Sequence, residues 1–337
     1  MSSTVIASLI AANQPVIIYF GISILIIGLV GNCLNAIVFL SLKTFRENAC
    51  AFYLTIMSIV NIGQLISGLL SRILMSGFNI DYTQTSLFYC KFRTFFFQFT
   101  TSLSLACICL ASIDQYFATC TRLQWQQWSN IKTTRRILII ITFILMIIQI
   151  PCLIYYKHIQ PIPTEKTICG ITNMSFVQFN MYFNYLFLGN VLPYSLTILF
   201  GTMAYRNTQQ SSNRTVPLIR LQLDKQLTAM VLVQIVYNFF SLFPTLIAYS
   251  IGSYGNIQDP MIKASVDLAY TITLCVYYSY FASSFYIYIS VSERFRRQFF
   301  YVFFKKHWNR CLQHKVFPNQ LALQPQVIQL NLISRID

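Results

Sequence analysis

Seven long apolar stretches, at residues 16–42, 51–72, 90–121, 135–156, 178–205, 226–251 and 264–291, occupy most of this chain. Each is long enough to cross a hydrocarbon core of about 30 Å as a helix, which takes roughly 20 residues. Charged side chains make up 10% of the sequence and apolar ones 55%. A soluble domain of this length carries about a quarter charged residues on its surface. The pattern therefore predicts an all-α, polytopic membrane protein built as a seven-helix bundle.

An odd number of spans puts the two termini on opposite sides. With the N-terminus outside, the inner segments 43–50, 122–134, 206–225 and 292–337, with Arg135 and Arg136, take 18 of the 24 Lys and Arg residues. The outer side keeps Arg72, Lys91, Arg93, Lys157, Lys166 and Lys263. Counting acids as well, five inside and four outside, the net charge is +13 inside and +2 outside, which sums to the +15 of the chain. Basic residues belong on the cytoplasmic side, so residues 1–15 read as an extracellular N-terminus, 16–291 as the transmembrane domain and 292–337 as a cytoplasmic tail. Residues 1–15 carry no charge, so the first span is expected to serve as its own signal. The basic residues sit beside the spans, where they meet anionic inner-leaflet lipid. That distribution argues against nucleic acid as a partner.

Most of the ten cysteines lie in or beside apolar spans and read as small hydrophobes. Cys90 and Cys169 are the two that this topology places outside. A bridge between them would tether the longest outer loop in an oxidising compartment; two unrelated thiols are the alternative. Asn173 opens the glycosylation sequon Asn-Met-Ser in the same loop. Pro151, Pro193 and Pro244 fall within or near the ends of three spans, where a membrane helix tolerates a kink if its neighbours satisfy the freed carbonyls. Residues 292–304 alternate Arg with Phe295, Phe299, Phe300, Phe303 and Phe304, a pattern suited to a short amphipathic eighth helix along the inner leaflet. Cys311, after Lys305 and Lys306, is a candidate palmitoylation site.

Several short motifs occur in a fixed order. They are Gly31-Asn32 in the first span, Cys90 and Cys169, and the triplet Asp114-Gln115-Tyr116, which lies 24 residues after Cys90. Pro193 and Pro244 follow in the fifth and sixth spans, then Tyr288, then Ser292-Glu293-Arg294-Phe295-Arg296. In this set the chain resembles a class A (rhodopsin-like) G-protein-coupled receptor, over about residues 16–304. The departures are as informative. Gln115 stands where the family has arginine, Asn61 where it has aspartate, Leu242 where tryptophan is common, Ser284-Phe285 in place of Asn-Pro before Tyr288, and Gly201 at a common tyrosine.

The resemblance implies a role for each of these positions. Asp114, Gln115, Tyr116, Asp224, Tyr288 and Phe295 fall on the transducer side. There Gln115 is expected to reach Asp224 through its amide, a weaker latch than a guanidinium fork. Asn32, Asn61 and Ser104 are expected to face one another as a polar core across spans one to three. It holds no carboxylate for a sodium ion, and packing alone is an alternative role for these side chains.

The ligand pocket is expected among the outer halves of spans three, five, six and seven. Candidate lining residues are Phe97, Gln98, Phe183, Tyr185, Phe187, Tyr249, Tyr270, Tyr277 and Tyr278, with Arg72, Lys91 and Arg93 near the rim. Phe97 holds the place of the aspartate of amine receptors, and Tyr278 that of the retinal lysine of opsins. A biogenic amine therefore lacks its ion-pair partner, and Schiff-base chemistry is absent. Aromatic walls with basic residues at the mouth suit a short peptide with apolar anchors and an acidic group.

The function implied is a plasma-membrane receptor that passes an extracellular peptide signal to a heterotrimeric G protein, with no cofactor and no catalysis. A receptor-like protein that binds a peptide, lipid or chemosensory molecule without activating a G protein is the alternative. A transporter or channel ranks lower, because intramembrane charges on an ion path, broken helices at the midplane and inverted repeats are not evident. A membrane enzyme ranks lower still, since the histidines, at 158, 307 and 314, lie at the membrane edge or in the tail.

Overall fold

In a segment without water each backbone N–H and C=O must be satisfied internally, and only a helix does so within a single span. The computed structural model describes residues 2–41, 43–120, 122–160, 167–210, 218–255 and 257–306. Cys311 and the side chain of Asp224 lie outside what it describes. Among the described residues, seven helices are long and apolar enough to span a membrane. They are α1 (Ser2–Ser41), α2 (Ala49–Gly77), α3 (Leu87–Thr119), α4 (Ile131–Tyr155), α5 (Met174–Gln210), α6 (Leu218–Tyr254) and α7 (Pro260–Val291). The first begins at Ser2, ahead of the apolar stretch at 16, because Ser2–Asn13 is uncharged and free of helix breakers.

Polar caps start several of these helices where the apolar runs begin. The side-chain oxygens of Asn48, Asn130 and Asn173 accept backbone N–H bonds from Ala51, Lys132 and Phe176, each at 3.0 Å. Asp259 does the same for Met261, with Pro260 in the first turn. Helix α3 occupies the centre, against α2, α4, α5 and α6. The ring closes through α5–α6, α6–α7 and α7–α1. Between α4 and α5 a two-stranded antiparallel hairpin, β1 (Tyr156–Ile159) and β2 (Ile168–Ile171), pairs His158 with Cys169 in register.

Two of the spanning helices depart from α geometry. In α2 the stretches Leu65–Leu70 and Ile73–Gly77 are π-helical, and in α5 so is Phe179–Val191, just ahead of Pro193. A proline lacks the N–H that an α-helix uses, and a π stretch beside it is one way to accommodate the loss. A short helix, α8 (Glu293–Phe300), follows α7. The described residues up to Arg296 form one compact unit, and those from Arg297 belong to a second.

Candidate functional site: a cavity and a latch at opposite ends of α3

Near the N-terminal end of α3 the disulfide Cys90–Cys169, with Cα atoms 5.8 Å apart, pins the hairpin to the bundle. His158 strengthens that attachment through a 2.7 Å hydrogen bond between Nε2 and the Thr83 carbonyl. Beneath the hairpin lies a cavity of about 450 Å³, within the roughly 300–1,000 Å³ typical of small-molecule sites. Tyr156, Ile168 and Cys169 of the hairpin border it. Leu105, Leu242 and Leu274 line its apolar part, so the leucine at the common tryptophan position meets the cavity directly.

Seven of the nine pocket residues named from the sequence line this space: Phe97, Gln98, Tyr185, Tyr249, Tyr270, Tyr277 and Tyr278. The rings of Tyr185 and Tyr249 lie 5.1 Å apart, and those of Tyr249 and Tyr270 6.0 Å apart, so three tyrosines bridge α5, α6 and α7. The Tyr277 hydroxyl shares a 3.2 Å hydrogen bond with Thr101. Phe97 and Tyr278 fit closely because Gly68 has no side chain: a Cβ there would lie 2.9 Å from atoms of both rings.

Phe183 and Phe187 are corrections. They do not line the cavity but continue a row of stacked rings, Phe179–Phe183 at 5.1 Å and Phe183–Phe187 at 5.8 Å. The row leaves Phe187 44% exposed on the outside of the bundle. Phe183 and Phe187 lie two residues to either side of Tyr185, about 200° around a helix from it, so the three cannot share one face, and Tyr185 is the one at the cavity. Asn180, Asn184, Tyr185, Gly189 and Asn190 face inward instead. Gln149 of α4 donates to Asn184 at 3.3 Å, and Asn184 donates to Asn180 at 3.2 Å, a buried amide chain ending at the cavity wall. These asparagines were missed in the sequence, where they look like breaks in an apolar run.

Two rim arginines line the cavity, and Lys91 does not. Arg72 donates to the Tyr270 hydroxyl at 3.4 Å and lies 5.9 Å from its ring centroid, within cation–π range.

The polar core separates into two pairs. Ser104 of α3 donates to Asn61 of α2 at 2.6 Å. Asn32 turns to α7 instead: it donates to the Gly28 and Phe281 carbonyls, both at 2.8 Å, and accepts from Ser284 at 3.3 Å. Asn35 also donates to Ser284, at 3.0 Å. The serine in the Asn-Pro position thus ties α7 to α1, so Asn32 corrects the expectation of one three-span cluster.

At the other end of α3, Asp114 and Gln115 are buried, 6% and 1% exposed. The Gln115 side-chain oxygen accepts a 2.9 Å hydrogen bond from the Thr228 hydroxyl on α6. Thr228 lies four residues after Asp224, hence on the same helix face, a signal that the sequence held but that charge-based reasoning passed over. Tyr116 packs against Phe200 of α5, ring centroids 5.6 Å apart. Opposite, Phe295 is fully buried among Phe39, Phe285 and Tyr288, with ring centroids at 5.4, 6.0 and 5.9 Å. Gln226 of α6 accepts from the Ser292 hydroxyl at 2.9 Å and the Arg294 N–H at 3.0 Å, and so caps α8 from another helix. Asn173 is exposed at the start of α5.

Residues 31–283, well over half of the chain, match the family model described as 7 transmembrane receptor (rhodopsin family). No curated protein matches the chain. With its seven spans, helix-capped end and hairpin over a central cavity, this chain belongs to the rhodopsin family of seven-transmembrane receptors.

Proposed function

We propose that the protein is a plasma-membrane receptor, N-terminus outside, that binds a short peptide in the cavity under the hairpin and signals through a heterotrimeric G protein at the opposite end. Family membership carries the coarser part: an extracellular ligand, an intracellular transducer and no enzymatic turnover. The charge asymmetry of the loops supports the orientation. The observation that carries the finer reading is that one helix, α3, serves both ends: Phe97, Gln98 and Thr101 line the cavity, and Gln115 bonds α6. A ligand that favours one packing of α3 against α6 would then bias the other end by the same free energy.

Anionic inner-leaflet lipid is the expected companion of the basic segments, and Asn173 is the expected glycosylation site. Gln115 supports a second reading, a receptor that binds ligand without activating a G protein, because the family's arginine is missing from the triplet. Expression in cells challenged with a panel of short peptides, with surface binding and second messengers read together, separates the two. Binding with a second-messenger response supports the signalling reading. Binding with silence toward every G protein supports the second.

A further inference from the structure

We propose that the ligand presents a carboxylate, seated by Arg72 and Arg93, on a peptide whose N–H groups reach Gln98 and Asn190. This rests on the cavity being the ligand site. The charge inventory of the wall is the first observation. Among the described residues, Arg72 and Arg93 line the cavity with a single acid, Asp81. That acid is committed to its own turn: Oδ1 accepts from the Thr83 N–H at 2.8 Å and hydroxyl at 2.6 Å, and Oδ2 from Gln84 at 3.0 Å. The Nε of Arg93 is buried and has no hydrogen-bond partner among the described residues. Arg72 and Arg93 are both half-buried at the cavity wall, and a carboxylate matches the fork of donors that a guanidinium presents.

The second observation concerns acceptors. The side-chain oxygens of Gln98 and Asn190 are buried without partners among the described residues. The amide orientation of Asn190 is fixed, because its nitrogen donates to the Tyr185 carbonyl at 2.7 Å. Two orphan acceptors, on α3 and α5, call for N–H donors from the occupant. A fatty acid supplies the anion and no such donor, and an amine brings the wrong sign. A peptide supplies donors and carboxylate together, with side chains for the ring-lined wall of Phe97, Tyr277 and Tyr278. The carboxylate belongs to a free C-terminus or to an acidic side chain, and the seat recognises either.

The test uses the full chain in lipid nanodiscs and affinity selection from matched pools of N-acetylated tetrapeptides built from apolar and aromatic residues. One pool ends in a free acid, one in an amide, one in an amide with an internal Glu, and one in an amide with an internal Lys. Retention of the free-acid or the Glu pool over the plain amide pool by about tenfold or more is expected, and which of the two is retained locates the carboxylate. Arg72→Gln and Arg93→Gln should each abolish that preference while leaving the melting temperature near wild type, and Arg93→Lys should keep part of it. Equal retention of acid and amide, preference for the Lys pool, a preference unchanged in both Gln variants, or no retention of either acid pool overturns the proposal. G-protein activation is not read in this assay. Acid binding without any transducer response would therefore break the signalling reading and leave the carboxylate seat standing.

Discussion

Thr228 on α6 donates its hydroxyl to the side-chain oxygen of Gln115 on α3 across 2.9 Å, and both residues are buried. The bond joins the two helices at the Asp114 end with neutral groups. A neutral hydrogen bond contributes about 1 kcal/mol net, against roughly 1.5–3 kcal/mol for one to a charged group. The packing of α3 on α6 is therefore held by a modest latch, set for a small free-energy input.

The cavity depends on a missing side chain. Gly68→Ala puts a methyl 2.9 Å from atoms of Phe97 and Tyr278, and both rings must move into the cavity. Overpacking of this kind costs about 1–3 kcal/mol. The expected result is a lower melting temperature together with weaker peptide retention. Unchanged values for both would mean that the rings yield freely.

The hairpin depends on its disulfide. Cys169→Ser opens a link between residues 79 apart in sequence, which on chain-entropy grounds stabilises by up to roughly 4 kcal/mol. Reduced surface expression and a lower melting temperature are expected. In the wild type, mass spectrometry of unreduced protein should yield a Cys90–Cys169 cross-linked peptide.

The spans and the inward faces of the helices were not equally legible in the sequence. Uncharged apolar runs announce helices in a membrane almost by themselves, so the seven spans and the cysteine pair could be read directly. The inward faces of α2 and α5 could not. A periodic reading assumes 3.6 residues per turn, which the π-helical stretch at Phe179–Val191 does not follow, and there Phe187 is exposed while Asn184 is buried. Thr228 escaped for another reason: attention fell on Asp224, whereas a neutral Gln115 is served as well by a hydroxyl one turn along. Asn32 pairs with α7 through the Phe281 carbonyl and the Ser284 hydroxyl, and a backbone carbonyl is a partner that residue types do not announce.

The junction between α7 and α8 has its own test. Gln226 accepts bonds from Ser292 and from the Arg294 N–H, so Gln226→Ala leaves the first turn of α8 without that acceptor, at a cost of about 1 kcal/mol. Hydrogen exchange at residues 293–296 should accelerate several-fold relative to that at the centre of α7. Equal protection in the two proteins would show that Phe295 packing alone holds the turn.

The central claim is that closure of the Asp114 end limits signalling and that the Gln115–Thr228 bond contributes to it. Thr228→Val removes the donor with little change in volume and leaves the Gln115 oxygen unpaired. At about 1 kcal/mol the balance shifts roughly fivefold toward the open packing. The decisive measurement is ligand-independent G-protein activation of wild type and Thr228→Val at equal surface expression, across a panel of G-protein subtypes. The account predicts higher basal activation in the variant for at least one subtype; equal or lower activation with every subtype would contradict it.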